Sequence, residues 1–493
     1  MDPGPWPWAG PAREAFGALG VTGRYLGLDL GTSSVKGLLV GRDGRPLGRA
    51  QQAYPTHRPH PGWAQQNLAD WLAAVGAVVR DLVPDGIVDA VAVAGHTPSL
   101  ITIDDRRRAT GPAITWQDTR AGAEADELAR HFGDERTLIG ATLPWNAAYL
   151  PAKLLWLGRH GIGDARWLLQ PKDAINLALT GVAGTDIWGS KGLCRVDDGR
   201  VVSALFEYCD VPAVTLPPRL RPWQPLGPVD EHGAAWSGLR PGTPVAVGWT
   251  DALAGMLSVG AFEESRAFVL TGTSDIVGRS DADRPPDAHL LHIPLRCAPL
   301  PVQYGPTQTS GAALLWLAEL FGTSPGDMIS TSMHADEAHT PRFVPYLDGE
   351  RAPVWRTDVQ ASFAGLSART GRAELARAVL RGVALSNRHV LHLAGHGDEP
   401  VHVGGASALA RGWVRARLET FGVEIVLHEE PNLTASGAAM LAAVASGRHD
   451  IGTVSTAMSG PVSAHRPEPQ DRRLADARYA QYQRDVAAVL AGG

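Results

Sequence analysis

Apolar residues gather in short blocks along this chain, and the clearest pair lies at 25–40. Tyr-Leu-Gly-Leu-Asp-Leu at 25–30 and Val-Lys-Gly-Leu-Leu-Val at 35–40 flank the small-residue turn Gly31-Thr32-Ser33-Ser34. Two such runs around a short turn predict a β-hairpin. A further turn, Arg-Asp-Gly-Arg at 42–45, starts a third strand, so the chain opens as a meander. The arrangement recurs as Arg-Ala-Phe-Val-Leu-Thr at 266–271, Gly-Thr-Ser-Asp at 272–275 and Ile-Val-Gly-Arg-Ser at 276–280. Each half also carries an apolar strand ending in small residues, at 88–96 and 400–406. This is unlike a short-period solenoid repeat and predicts one fold used twice. Helical spacing of apolar residues predicts helices at 68–82, 373–394 and, directly after Gly404-Gly405, 407–421. Strand followed by helix in both halves predicts an α/β architecture of two similar lobes around a cleft, where loops at strand ends supply ligand groups. The Pro- and Trp-rich stretch 197–245 is expected to pack on the first lobe.

Length and composition narrow the functional classes. The 493 residues suit two large domains, read as 23–262 and 263–493 after an irregular extension at 1–22. That extension lacks the basic start and apolar run of a secretory signal. Apolar runs such as 252–262 are too short to span a bilayer, so no membrane role is expected. A net charge of −6, with arginines dispersed, gives no basic field for nucleic acid. Cys194, Cys209 and Cys297 form no CxxC pair, which speaks against a disulfide scaffold or zinc site and fits a reducing cytoplasm.

The chemistry concentrates at strand ends. A Gly-Thr-Ser turn brings backbone N–H groups and hydroxyls close to phosphate oxygens, because glycine has no Cβ to hold them apart. Gly31, Thr32, Ser33 and Lys36 in one hairpin, and Gly272, Thr273 and Ser274 in the other, are therefore candidate nucleotide ligands; the plain alternative is a tight Asx-type turn. Asp29 is placed to hold a Mg²⁺-bound water. In Val-Ala-Val-Gly-Trp-Thr-Asp-Ala-Leu-Ala-Gly, 245–255, a lone carboxylate stands between an apolar strand and a small-residue helix. Asp251 is thereby placed in the expected cleft as a candidate site carboxylate, with helix N-cap as its structural role. Asp118 and Arg120, one residue apart after a strand, can both face a polyhydroxy ligand or close the loop as an ion pair. His96, Thr97, Trp116 and Thr250 are further acceptor-site candidates, and Trp63 a candidate stacking ring. Gly404-Gly405 before a helix would let adenine or the α-phosphate approach the backbone.

Taken in order, these segments resemble the FGGY carbohydrate kinase family, most nearly its xylulokinase branch. The resemblance runs from Tyr25 almost to the end and includes Pro-His-Pro-Gly-Trp-Ala-Gln-Gln at 59–66, Pro-Ala-Ile-Thr-Trp-Gln-Asp-Thr-Arg at 112–120, Ala-Lys-Leu-Leu-Trp-Leu at 152–157, Pro-Lys-Asp at 171–173 and Val-Pro-Tyr-Leu-Asp-Gly-Glu-Arg-Ala-Pro at 344–353. It implies an actin/hexokinase-type fold whose lobes close on ATP and Mg²⁺, with a sugar-binding first lobe and a nucleotide-binding second one. It also implies Asp251 as base, Asp29 as metal-side carboxylate, Thr32 and Gly272–Ser274 as phosphate clamps, Asp118 and Arg120 as sugar-side groups, and Gly404-Gly405 as the adenosine loop. Small-molecule sugar is the implied partner, with homodimerisation left open.

Departures fall on the acceptor side. Where the branch carries Gly-Gln-Met-His-Gly, this chain has Gly95-His96-Thr97-Pro98-Ser99, so Pro98 occupies the histidine position. Losing a partner for a buried sugar hydroxyl costs about 1 to 3 kcal/mol, enough to change substrate preference. Gly-Trp-Thr-Asp-Ala replaces Gly-Gly-Gly-Asp-Asn around Asp251, and Ala406 replaces the third glycine of the adenosine loop. The expected activity is transfer of the ATP γ-phosphoryl group to a small sugar, of the xylulose or ribulose type. A non-catalytic sugar or polyol sensor, a kinase for another polyol or sugar acid, and an actin-like filament ATPase are the alternatives.

Overall fold

The computed structural model describes residues 23–141, 145–212, 215–263 and 265–492; the extension read at 1–22 lies outside the described residues. The first hairpin forms as its pattern predicts. Strand β1 (Tyr25–Leu30) is buried along its whole length and pairs antiparallel with β2 (Ser34–Val40), which pairs with β3 (Pro46–Ala53). Helix α1 spans Leu68–Leu82, the predicted bounds, and buries Trp71, Val75, Val78 and Val79 on one face.

Three more strands complete the first sheet: β4 (Ala90–Gly95), β5 (Pro225–Pro228) and β6 (Pro244–Ala246). Its order is β5-β6-β4-β1-β2-β3, with β4 parallel to both β1 and β6. The stretch 197–245 therefore does more than pack on the lobe, since it supplies the edge strand β5. From β6 the chain enters helix α2 (Asp251–Ser258).

The second sheet repeats the plan with β7 (Ala267–Thr271), β8 (Ile276–Ser280), β9 (Leu291–Ile293), β10 (Val302–Pro306), β11 (Val401–Gly405), β12 (Ile425–His428) and β13 (Val462–His465). Its order is β9-β10-β8-β7-β11-β12-β13. Going outward from the β7/β8 hairpin, the senses match those around β1/β2: antiparallel to β10, parallel to β11 and β12, antiparallel to β13. The duplication legible in two hairpins thus extends to six strands in each half, as the actin/hexokinase-type fold requires, with β9 added at one edge.

Helix α3 is Gly311–Leu320 and α4 is Arg372–Leu393, within a residue of the predicted 373–394. The helix expected at 407–421 is shorter. Residues 406–409 form turns, and α5 runs Arg411–Phe421. Helix α6 (Leu433–Ala445) is apolar nearly all round and buried, packed against β1, β4 and α2 of the first half. Its small residues let backbones touch: a Cβ on Gly27 of β1 would lie 1.9 Å from Ala435 O, and one on Gly437 of α6 would lie 1.7 Å from Ala254 O of α2. Around this β1/α6/α2 contact a single apolar core joins residues of both halves, among them Tyr25, Ala92, Leu253, Phe268 and Met440. Among the described residues no helix is long and apolar enough to cross a membrane.

Candidate active site

Parallel strands end together, so the loops after them share one edge of the sheet. In the first half Leu30 is level with Gly95, and Gly95 bridges in parallel to Thr250, its N–H donating to Trp249 O at 3.2 Å. Asp29 and Asp251 therefore occupy the carboxyl ends of strands two places apart, about 10 Å between backbones at the usual strand spacing. This is the edge at which open α/β sheets bind ligands.

Asp251 is the first residue of α2 and not its N-cap. Thr250 holds that position without a side-chain cap, while Asp251 Oδ1 accepts from Ala252 N at 2.7 Å. Burial pushes the Asp251 carboxyl up to about 6. Asp29 is pushed up to about 7, by burial first and by the charge of Asp251 second. These two acids hold more negative charge than their surroundings neutralise, a donor set that suits Mg²⁺, which binds through one or two carboxylates and otherwise through water and phosphate oxygens. Among the described residues no group of three or more His, Cys, Asp or Glu forms a protein-only metal cage.

The two hairpin turns are braced differently. Gly31 N donates to Ser34 O at 3.1 Å, Gln66 Nε2 donates to Thr32 O at 2.6 Å, and the Thr32 hydroxyl accepts from Trp116 Nε1 at 3.0 Å. That last bond ties the acceptor-side loop to the first turn. Lys36 stands level with Asp29 on β2, and its charge draws the Asp29 carboxyl down against burial. In the second turn Gly272 N donates to Asp275 Oδ1 at 3.2 Å. The N–H groups of Gly311 and Ala312 reach Gly272 O and Thr273 O at 3.2 and 3.1 Å. Ser33, Gly272 and Thr273 remain exposed. Gly404 and Gly405 end β11 beside Thr271. Gly405 has φ +112°, and a Cβ there would lie 2.4 Å from Thr271 O. Because α5 starts only at Arg411, this pair does not open a helix N-terminus, contrary to the sequence reading.

The acceptor-side candidates divide. His96 is buried, with Nδ1 2.8 Å from Ser99 Oγ; burial drives its pKa down to about 3, so the ring is neutral. Its Nε2 and the Thr250 hydroxyl are buried without a protein partner. Both are polar atoms of the kind a ligand satisfies. Thr97 Oγ1 donates to Gln170 at 3.3 Å. Asp118 and Arg120 are spent on each other at 2.7 Å, both buried. Asp118 also accepts from Ala64 N at 2.6 Å, and the guanidinium carbon lies 3.6 Å from the Trp63 ring centre. The ion-pair reading of that loop is the one seen, and one face of Trp63 is already covered. Trp116 is 40% exposed.

Several groups escaped the sequence reading. Lys153, fully buried, donates to Pro98 O at 2.6 Å, and burial lowers it to about 7. Glu350 is pushed up to about 8 by burial, with one carboxylate oxygen unpartnered. Both lie in segments that carried the family resemblance; for Lys153 a charge inside the apolar run 152–157 was the available signal, while Glu350, between Gly349 and Arg351, had none beyond the resemblance. Lys191, in Gly-Ser-Lys-Gly-Leu-Cys, had no such signal; it is buried, and Asp251 acts on its charge.

Known proteins resemble the chain over most of its length. Residues 24–258 match the N-terminal domain of the FGGY family of carbohydrate kinases, and residues 267–446 match its C-terminal domain. The chain is 29% identical over 441 residues to the xylulose kinase of Escherichia coli K12, covering 85% of this chain and 90% of that protein. It is 24% identical over 489 residues to a gluconokinase of Bacillus subtilis, covering 91% and 92%. The crystal structure of xylulose kinase from Rhodospirillum rubrum superposes with a TM-score of 0.83 at 27% identity, over 94% of this chain and 98% of that one.

Proposed function

Since the chain belongs to the FGGY family of carbohydrate kinases and is an ATP-dependent sugar phosphotransferase, we propose that its acceptor is a ketopentose of the xylulose or ribulose type, bound by the lobe at 23–262 and phosphorylated from ATP held by 263–493. The observation that carries the acceptor site is the meeting of Asp251 with two unsatisfied buried polar atoms, Thr250 Oγ1 and His96 Nε2, at one sheet edge. The curated relatives named xylulose kinase favour the ketopentose class.

In this reading the Asp251 carboxylate takes the proton of the attacking hydroxyl while Thr250 and His96 orient the sugar. Ser33 and Thr273 offer N–H and hydroxyl groups to the phosphates, with Lys36 adding positive charge and Gly272 leaving room for the phosphate to approach. Asp29, through water, and Asp251 would hold Mg²⁺, which supplies neutralising charge to the transferring phosphoryl group. A loose phosphoryl-transfer transition state asks chiefly for positioning and charge neutralisation, so a weak base suffices. The test is ADP release from Mg-ATP across ketoses, aldoses, polyols and sugar acids. Turnover of D-xylulose or a ribulose is expected, and a panel in which no ketopentose is turned over overturns the reading.

The raised carboxyls give pH predictions of definite sign. Asp251 must be ionised to accept a proton, so kcat/KM falls about tenfold per unit as pH drops below about 6. For stability the protonated forms are the ones the fold favours. Their contribution is full below the ordinary 3.8 and lost as pH rises through about 6 for Asp251 and about 7 for Asp29. Asp29→Asn, free of ligand and with metal chelated, is expected to raise Tm by a few degrees above about pH 7 and to leave it unchanged below about pH 4. A gain independent of pH would show that the Asp29 charge is not the cause.

A further inference from the structure

The second Gly-Thr-Ser turn is fastened on its carbonyl side. Gly272 O accepts from Gly311 N at 3.2 Å, and Thr273 O accepts from Ser310 N and Ala312 N, both at 3.1 Å, so the start of α3 sits against the turn. A Cβ on Gly311 would lie 2.6 Å from Gly272 O. In a trans peptide the C=O of one residue and the N–H of the next point in opposite directions. With both carbonyls turned to α3, the N–H groups of Thr273 and Ser274 point away from it and, among the described residues, find no protein acceptor. Two successive N–H groups aimed outward make an anion-binding concavity.

Asp275 closes this turn from the buried side. Its carboxylate accepts from Gly272 N at 3.2 Å on Oδ1 and from Asn387 Nδ2 of α4 at 2.8 Å on Oδ2. Its backbone is pinned as well, Asp275 N donating to Thr307 Oγ1 at 3.0 Å and Thr307 N to Asp275 O at 2.9 Å. Burial pushes the Asp275 carboxyl up, and the charge of Arg417 on α5 and the bonds from Asn387 and Gly272 draw it back down. Arg417 is itself 1% exposed, with Nε and one terminal nitrogen lacking a hydrogen-bond partner, and the charge that supports it is that of Asp275. A four-residue turn needs no buried ion to close it, and burying two charges is costly. What the arrangement fixes is direction: the Gly272 N–H is turned inward, and those of Thr273 and Ser274 are left to face outward.

We infer that Asp275 is the positioning residue of the second phosphate turn: its buried carboxylate draws the Gly272 N–H inward and so presents the Thr273 and Ser274 N–H groups together to the ATP phosphates. This rests on the reading above that the turn receives phosphate, and deepens it by assigning the group that sets the turn's geometry. Asp275 touches no reacting atom; it acts through the backbone of the residues that meet the phosphates.

Calorimetric titration of the full chain with Mg-ATP and with adenosine, which lacks phosphates, reads the turn without any acceptor present. Asp275→Ala is expected to weaken Mg-ATP binding about 10-fold, the range of a charge-assisted hydrogen bond, and to leave adenosine binding unchanged. In turnover the KM for ATP should rise in step while the acceptor KM stays. Asp275→Asn keeps an oxygen for Gly272 N and is expected to bind Mg-ATP within about threefold of the parent. Asp275→Ala strands the Arg417 charge, so it is also combined with Arg417→Leu, which removes both buried ions together; the selective loss of ATP should persist in that double variant. Equal loss of ATP and adenosine, or unchanged ATP binding in folded Asp275→Ala protein, overturns the assignment. If the unaltered protein binds Mg-ATP no more tightly than adenosine, the turn receives no phosphate, and the reading beneath the assignment fails with it.

Discussion

Asp251→Ala is expected to lower kcat by about 10²- to 10⁴-fold, the usual contribution of a positioned general base, with little change in ATP binding. Asp251 is held through both its side chain and its backbone. Ala252 N donates to Oδ1 at 2.7 Å, and the Thr434 hydroxyl of α6 donates to the Asp251 carbonyl at 3.3 Å. Alanine at the first position of α2 keeps the helix, since Thr250 is already the capping residue and makes no side-chain bond. Removing a buried acid raised to about 6 also relieves a desolvation cost, so the variant is expected to be at least as stable as the parent near pH 8. Single-turnover ADP formation beside a thermal melt separates the two effects. Near-normal turnover in a folded Asp251→Ala protein removes Asp251 from the role of base.

Gly437→Val is expected to lower Tm by about 5–10 °C, from a cost of about 2–3 kcal/mol for forcing atoms into a packed contact. The added Cβ would lie 1.7 Å from Ala254 O, where the obstacle is helix backbone that cannot rotate away. Helices α2 and α6 must separate, and α6 cannot simply retreat, because Ala435 O is already at backbone contact with Gly27 of β1. Asp251 begins the displaced helix, so activity should fall together with stability. Gly122→Ala is the control: its Cβ meets nothing within 4 Å, and Tm should move by no more than a degree or two. Calorimetric melts of the two variants decide it. Equal melts would mean that the β1/α6/α2 contact is looser than its geometry indicates.

These outcomes depend unequally on what the sequence discloses. The hairpin at 25–40 and α1 were legible because their apolar periodicities are local and because both signals end at clear turns. Asp251 was legible as a carboxylate between strand and helix, and its family motif gave it a role. Its place at the first helical residue instead of the cap was not, since Thr250 and Asp251 both suit either position. The start of α5 was misread for a related reason. Gly404-Gly405 looks like a helix opening, but Gly405 is demanded by close approach to Thr271, four residues of turn before the helix. Asp118 and Arg120 were read first as ligand groups, and the fold spends them on one another and on Ala64 N.

The sequence by itself determined the two Gly-Thr-Ser hairpins, the duplicated α/β plan and the acid at the head of α2, all features written in residues near one another along the chain. Only the tertiary structure decided which charges are paired. Lys172 binds Asp173 and Asp186, Arg120 binds Asp118, and Lys191 is left beside Asp251 with no carboxylate of its own. The physical reason is that burial and counter-ion distance are set by segments far apart in sequence meeting at a strand edge. A lysine between a serine and a glycine carries no mark of either until the chain has folded.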